Sequence, residues 1–259
     1  MIHSVLVDHG GTKTEVLALN RRGRVVRKLR ARSKPVQKLH FALRKILRRW
    51  HVKDLRRLTI GAKSIWSKKE RKWLHHRTKS LAKEVIVQSD AELAYERVFG
   101  ARSGILIIAG TGSIALGRND RGKTARAGGL GPKRGDEGSA FWIGKMYRNV
   151  NSKHVRFQSV QDIAKLAPRV IGGARKGDAH CQKIVQDAQG HLARLVIAVA
   201  EKLSLKGKIP VRCAGGLFKS IYFRKGFEKV LIRYSGRARR ARAGIHLALS
   251  LLWPADPPL

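Results

Sequence analysis

Cysteine is nearly absent: Cys181 and Cys213 are the only two in 259 residues, too few for a disulfide framework or a thiolate metal cage. Acidic residues are scarce as well, 17 against 56 Lys and Arg, which leaves a formal charge of +39. Such a field draws polyanions in a salt-dependent way, nucleic acid first among them. The motifs of nucleic-acid binders are nevertheless missing, with no zinc-finger spacing, RNP-type aromatic motif or basic region with heptads. The basic runs at Arg44–Arg49, Lys68–Lys72 and Arg237–Arg242 lie in otherwise dissimilar segments, as a solvated basic surface would place them. No apolar run approaches the ~18 residues of a membrane span, and Met1–Asp8 has no basic n-region of a signal peptide. A cytoplasmic protein is therefore expected. No His-x-x-x-His occurs to hold zinc on a helix. Neither Gly-x-x-x-x-Gly-Lys-Ser/Thr nor Gly-x-Gly-x-x-Gly is present, which excludes P-loop and Rossmann sites.

What the chain does have is a hydrophobic fraction of 43%, enough for one large core or two modest ones. Apolar runs at Ser4–Asp8, Thr14–Leu19 and Arg24–Leu29 read as a β-meander, with Gly23 supplying the tight turn. After Pro35 the period becomes helical, with Leu39, Leu43, Ile46, Leu47 and Trp50 on one face. Strands at Leu58–Ile60 and Glu84–Gln88 enclose a basic helix containing Trp73 and Leu74, and this alternation argues for an α/β domain. A second series begins near Ser103 with strands at Ile105–Ile108 and Ile114–Gly117. The clearest helix starts after Asp178 and runs through Cys181, Ile184, Val185, Ala188, Leu192, Leu195, Val196, Val199 and Leu203. A strand at Ile209–Cys213 and a closing helix through Ile245, Leu247, Leu249 and Leu252 complete the reading. The two halves echo each other, as a duplicated domain would.

Three glycine turns, each directly after an apolar strand, carry the chemistry. Asp8-His-Gly-Gly-Thr-Lys-Thr14 joins the first two strands, and Gly110-Thr-Gly-Ser113 stands at the same point of the second half. Glycines let backbone N–H groups approach a phosphate, while Thr, Ser and Lys side chains add donors and charge. Asp8 would oppose a phosphate directly, so its natural role is through Mg²⁺ and water. Gly215-Gly216 follows the last strand and could pack its backbone against a flat adenine. The simpler account of each turn is a plain hairpin, and of Asp90 and Asp136 a helix cap. In so basic a chain, Asp8, Asp90 and Asp136 remain acidic at the motif positions.

Asp8–Thr14, Ser89-Asp-Ala91, Ile108–Ala115, Gly128-Gly-Leu-Gly131, Gly135-Asp-Glu-Gly-Ser139 and Ala214–Phe218 occur in one order that resembles the BadF/BadG/BcrA/BcrD-type ATPases. That family includes N-acetylglucosamine and glucosamine kinases and belongs to the sugar-kinase/Hsp70/actin superfamily. The resemblance implies an α/β fold of two ribonuclease-H-like (actin-like ATPase) domains with an interdomain nucleotide cleft. The domains would cover 1–100, joined by a C-terminal helix at 239–259, and 101–238. It implies ATP and Mg²⁺ as cofactors, with Asp8 holding Mg²⁺ through water. Gly10, Gly11, Thr12, Lys13 and Thr14 would form the first phosphate loop, Gly110, Thr111, Gly112 and Ser113 the second, and Gly215 and Gly216 the adenosine site. Asp90 would be the general base, with Asp90, Gly112, Leu130, Asp136 and Ala140 on the side of a sugar-like acceptor. A homodimer is common in that family. The expected reaction is phosphorylation of an amino-sugar hydroxyl. The alternative is a non-kinase ATPase or nucleotide sensor of the same fold that binds nucleic acid or another polyanion.

The chain departs from the pattern at several positions. His9 stands where the family usually has Gly and reads as an exposed turn residue. Leu130 replaces a usual Trp, Ala31–Pro35 lacks an Asn-containing sugar loop, and Lys133 and Arg134 precede Asp136, where they could meet an acidic substrate. The two cysteines fall in no iron–sulfur spacing and read as core thiols.

Overall fold

The computed structural model describes residues 1–63, 65–151, 159–241 and 245–248. Backbone contacts group Met1–Arg97 into one compact unit and the described residues from Val98 to Ala248 into a second.

In the first unit, strands β1 (Ser4–His9), β2 (Lys13–Leu19) and β3 (Val25–Arg32) form the expected antiparallel meander. Helix α1 (Leu39–Arg49), strand β4 (Arg57–Ala62), helix α2 (Lys68–Thr78) and strand β5 (Glu84–Ser89) follow, and helix α3 (Asp90–Phe99) leads out of the unit. The sheet order is β3-β2-β1-β4-β5, with β4 parallel to both β1 and β5. The core is built from Val5 and Val7 of β1, Leu58 and Ile60 of β4, and Leu39, Leu43 and Leu47 of α1. Burial alternates strictly along β1, with Val5, Val7 and His9 inward, because side chains on a strand point to opposite faces in turn.

The second unit repeats this plan. Strands β6 (Gly104–Ala109), β7 (Ser113–Arg118) and β8 (Thr124–Gly128) form an antiparallel meander. Helices α4 (Ala140–Asn151), α5 (Val160–Ala164), α6 (Ala167–Arg175) and α7 (Ala179–Lys202) precede strand β9 (Gly207–Ala214). Helix α8 (Ile221–Ala241) and strand β10 (Ile245–Ala248) close the described chain. The order β10-β9-β6-β7-β8, read from its other edge, is that of the first sheet. Both meanders turn on the same device. Asn20 Oδ1 accepts from the N–H of Arg22 and Arg24 on either side of Gly23, and Asn119 Oδ1 from those of Arg121 and Lys123 on either side of Gly122. Each glycine has positive φ, 74° and 78°, which the turn requires. Asp178 caps the 24-residue α7 by accepting from Cys181 N–H at 2.8 Å, and the anticipated stripe from Cys181 to Leu203 is buried except for Leu195, which is half-buried.

One element corrects the sequence reading. Ile245–Ala248 is not helical but a strand, parallel to β9 in the second sheet. Leu249 and Leu252, the remainder of the expected closing helix, lie outside the described residues.

Candidate functional site

In each unit the candidate residues gather at the strand ends where the meander begins. In the first, β1 delivers Asp8 and His9 to the turn 10–14. Gly10 N–H donates to Lys13 C=O at 3.0 Å, which closes the turn and leaves Gly11, Thr12 and Lys13 exposed. His9 is not the exposed residue that the sequence reading expects. It is 5% exposed, its Nδ1 lies 2.8 Å from Thr14 Oγ1, and Thr14 Oγ1 lies 3.0 Å from Ser33 Oγ. Ser33 Oγ in turn donates to Gly10 C=O at 2.7 Å. A buried relay thus ties the phosphate-type turn to the segment that follows β3. Burial pulls the His9 pKa down, and a hydrogen bond to the Lys34 backbone opposes that shift only in part, so the relay holds a neutral imidazole at physiological pH.

Asp90 opens α3 but does not cap it. Ser89 does: its Oγ accepts from Glu92 N–H at 3.1 Å, while Glu92 Oε2 accepts from Ser89 N–H at 2.8 Å. With this reciprocal capping box in place, the Asp90 carboxylate accepts from local amides, among them Ala91 N–H at 3.0 Å. Burial raises the Asp90 pKa, while that amide and the Lys63 charge pull the other way. Asp8 is displaced further, to about 6, first by burial and then by the Asp90 charge, against the opposing charge of Arg97. Two carboxylates thus share a desolvated corner of a strongly basic chain. No group of three or more His, Cys, Asp or Glu residues that could hold a metal occurs among the described residues. The pair therefore suits a hard divalent cation that keeps much of its water shell.

In the second unit, Gly110 N–H donates to Gly112 C=O at 2.9 Å and closes the turn. The turn is fastened to α4: Ala140 N–H donates to Gly110 C=O at 2.8 Å, and Ser113 Oγ to Glu137 C=O at 2.8 Å. Asp136 is 7% exposed, with φ +65°. Its Oδ1 accepts from Ser113 N–H at 3.4 Å, and a Cβ on Gly112 would come within 3.0 Å of Oδ2. The cap account of Asp136 fails as it does for Asp90, because Ser139 Oγ accepts from Trp142 N–H at the start of α4. Gly215 has φ +99° and its backbone is pressed against Ala109 at the foot of the turn, while Gly216 opens a short 3₁₀ segment with open space beside it. The unit therefore assembles Gly110–Ser113, Asp136, Ala140, Gly215 and Gly216 at one end of its sheet. Leu130 is 59% exposed beside Gly135. A cavity of about 280 Å³ flanks Asp136 and is lined in part by Lys133, Arg134, Glu137, Phe141, Trp142 and Lys145.

The sequence reading missed Lys63. It follows β4, donates its N–H to His9 C=O at 2.9 Å, and lays its side chain against Gly11. Its signal in the sequence is only its place directly after a buried parallel strand, where side chains emerge at a sheet's carboxyl edge. The role of Trp142 as a cavity wall was equally hidden.

The architecture is that of a mixed α/β protein with two sheets and flanking helices, the fold of solved sugar kinases. The ROK hexokinase of Thermus thermophilus superposes with a TM-score of 0.63 at 15% identity, over 94% of this chain and 91% of that one. The chain belongs to the BadF/BadG/BcrA/BcrD ATPase family, whose sequence profile matches residues 6–239. It is 33% identical over 181 residues to the N-acetylmuramic acid/N-acetylglucosamine kinase of Clostridium acetobutylicum, a match covering 57% of this chain and 59% of that protein. It is 26% identical over 269 residues to the N-acetyl-D-glucosamine kinase of Dictyostelium discoideum, covering 81% and 83%. No helix among the described residues is long and apolar enough to cross a membrane.

Proposed function

We propose that this protein is an ATP-dependent phosphotransferase acting on a hydroxyl of an amino sugar or a related small molecule. The observation that carries the proposal is the Asp90 carboxylate. It is half-buried, relieved of capping by Ser89 and Glu92, and set beside Asp8 in the unit that holds the first phosphate-type turn. Asp90 takes the proton of the acceptor hydroxyl as that oxygen bonds to the γ-phosphorus and the bond to the β-phosphate oxygen breaks, releasing ADP. Asp8 would hold Mg²⁺ through water, and the ion would supply charge neutralisation at the phosphates. Gly10–Thr14 and Gly110–Ser113 present amides and hydroxyls to phosphate oxygens, and Gly215 and Gly216 offer backbone to the adenosine. Asp136, fixed to Ser113, and Ala140 serve the acceptor side with Gly112 and Leu130.

The names of both curated relatives support an amino-sugar acceptor. The cations around the cavity beside Asp136 favour one that bears an acidic group. The reading carries with it the two ribonuclease-H-like domains, divided near residue 100, and the nucleotide cleft that the resemblance implies. A cytoplasmic setting, a homodimer and salt-sensitive association with polyanions belong to the same proposal; the free thiols of Cys181 and Cys213 and the +39 charge support the first and the last.

The test is ADP release from ATP·Mg²⁺ against neutral and acidic amino sugars, with Asp90→Asn as control. Acceptor-dependent turnover should fall by about 10²–10⁴-fold in the variant, the usual contribution of a positioned base. Turnover equal in both proteins would sink the assignment.

A further inference from the structure

Lys63 lies between two groups that the proposed reaction needs, and neither the sequence motifs nor any relative's name assigns it a role. Its position is fixed from the backbone: the N–H donates to His9 C=O at 2.9 Å, which anchors the residue at the base of the first turn. From there the side chain runs across the face of Gly11. A Cβ added to Gly11 would lie 2.9 Å from Nζ and 3.2 Å from Cδ, so the lysine's side chain lies directly against the backbone of the turn. The same ammonium acts electrostatically on Asp90 and favours its carboxylate form. One cation therefore adjoins the turn that would cradle phosphate and influences the carboxylate that would take the acceptor's proton. Among the described residues its Nζ makes no hydrogen bond or ion pair within 4 Å, so its three donors are available.

We propose that Lys63 is a catalytic residue whose ammonium binds the non-bridging oxygens of the phosphoryl group being transferred. This inference rests on the phosphotransferase reading above. Charge spreads over those oxygens as the bond to the β-phosphate oxygen lengthens, and a fixed cation stabilises them there. Lysine suits the place as a compact point charge with three donors on a flexible stem. No bond to Lys63 forms or breaks; it retains its proton throughout. Lys13, on the same turn, is exposed at the start of β2 and serves the first phosphate turn as proposed above.

The experiment compares nucleotide binding with turnover. The dissociation constants of ADP·Mg²⁺ and AMP-PNP·Mg²⁺ are measured by calorimetry without acceptor, for the unaltered protein, Lys63→Met and Lys63→Arg. Because ADP lacks the terminal phosphoryl group, Lys63→Met should leave its affinity within about twofold and weaken AMP-PNP by roughly tenfold, with kcat lowered at least as much. Lys63→Arg should recover part of the AMP-PNP affinity. Equal weakening of both nucleotides, or no change in either, overturns the inference while leaving the kinase reading standing. An unaltered protein that binds neither nucleotide overturns the kinase reading itself, and this inference with it. Lys63 is exposed, so the variants should fold, and matching far-UV spectra and melting curves check that they do.

Discussion

Replacing Asp8 by Asn should stabilise the ligand-free protein while abolishing its activity. The folded-state pKa of Asp8 is raised from 3.8 to about 6, chiefly by burial and then by the Asp90 charge. In the window between those values the native state binds more protons than the unfolded chain, so stability falls as the pH rises through it. The relative stabilisation is fully present below about 3.8 and lost above about 6. A displacement of about two units corresponds to ~3 kcal/mol at pH 8, taken as a ceiling because the carboxylate keeps some contact with solvent. The neutral amide is spared that cost. Asp8→Asn should therefore be more stable than the parent by about 2–3 kcal/mol at pH 8 and by only about 1 kcal/mol at pH 4.5. At pH 8 the melting temperature should rise by roughly 5 °C or more. Melts in EDTA across this pH range measure the difference. Mg²⁺ with nucleotide should raise the melting temperature of the parent more than that of the variant, because the cation restores what burial costs the carboxylate. A variant less stable than the parent at pH 8, or a difference independent of pH, would refute the account of a desolvated, like-charged pair.

The geometry sets four further outcomes. His9→Ala removes the first member of the buried relay to Thr14, Ser33 and Gly10, and should cost roughly 2–3 kcal/mol in denaturant unfolding; His9→Gln should recover part of it. Gly215→Ala forces a side chain into the Ala109 backbone at φ +99° and should destabilise by about 2 kcal/mol or more. Gly216→Ala, with nothing within 4 Å of its added methyl, should change stability by less than about 0.5 kcal/mol while weakening ATP binding. Cys181 and Cys213 are buried, and burial pushes the Cys213 thiol up to about 12. Neither should react with a thiol reagent at pH 8 until the protein is unfolded.

Much of the scaffold was legible. The run from Gly104 to Ala109 is apolar throughout because a central strand is covered on both faces, and the stripe from Cys181 to Val199 announced α7. The duplication was also present in the hairpins Asn20-Arg-Arg-Gly23 and Asn119-Asp-Arg-Gly122, although the second is hidden because β8, Thr-Ala-Arg-Ala-Gly, has few strand-forming residues. Phe223, Phe227 and Leu231 of α8 recur at four-residue steps and are fully buried. The C-terminal apolar segment was misread because Ile245, Leu247 and Leu249 also fit a two-residue period, and pairing with β9 favours the strand.

The individual turns and carboxylates were set by local chemistry: a glycine turn after an apolar strand needs no tertiary contact to be recognised. Even the burial of His9 was written in its parity with Val5 and Val7. What only the folded chain decided is which groups cap the helices and which stand beside the turns. Ser89 and Ser139 cap their helices, and so release Asp90 and Asp136 from a duty that their sequence positions equally allowed. Parallel pairing of β4 with β1 sets Ala62 opposite His9 and so brings Lys63, more than fifty residues away in sequence, against Gly11. Registers between distant strands are fixed by the packing of a shared core, and no local pattern encodes them.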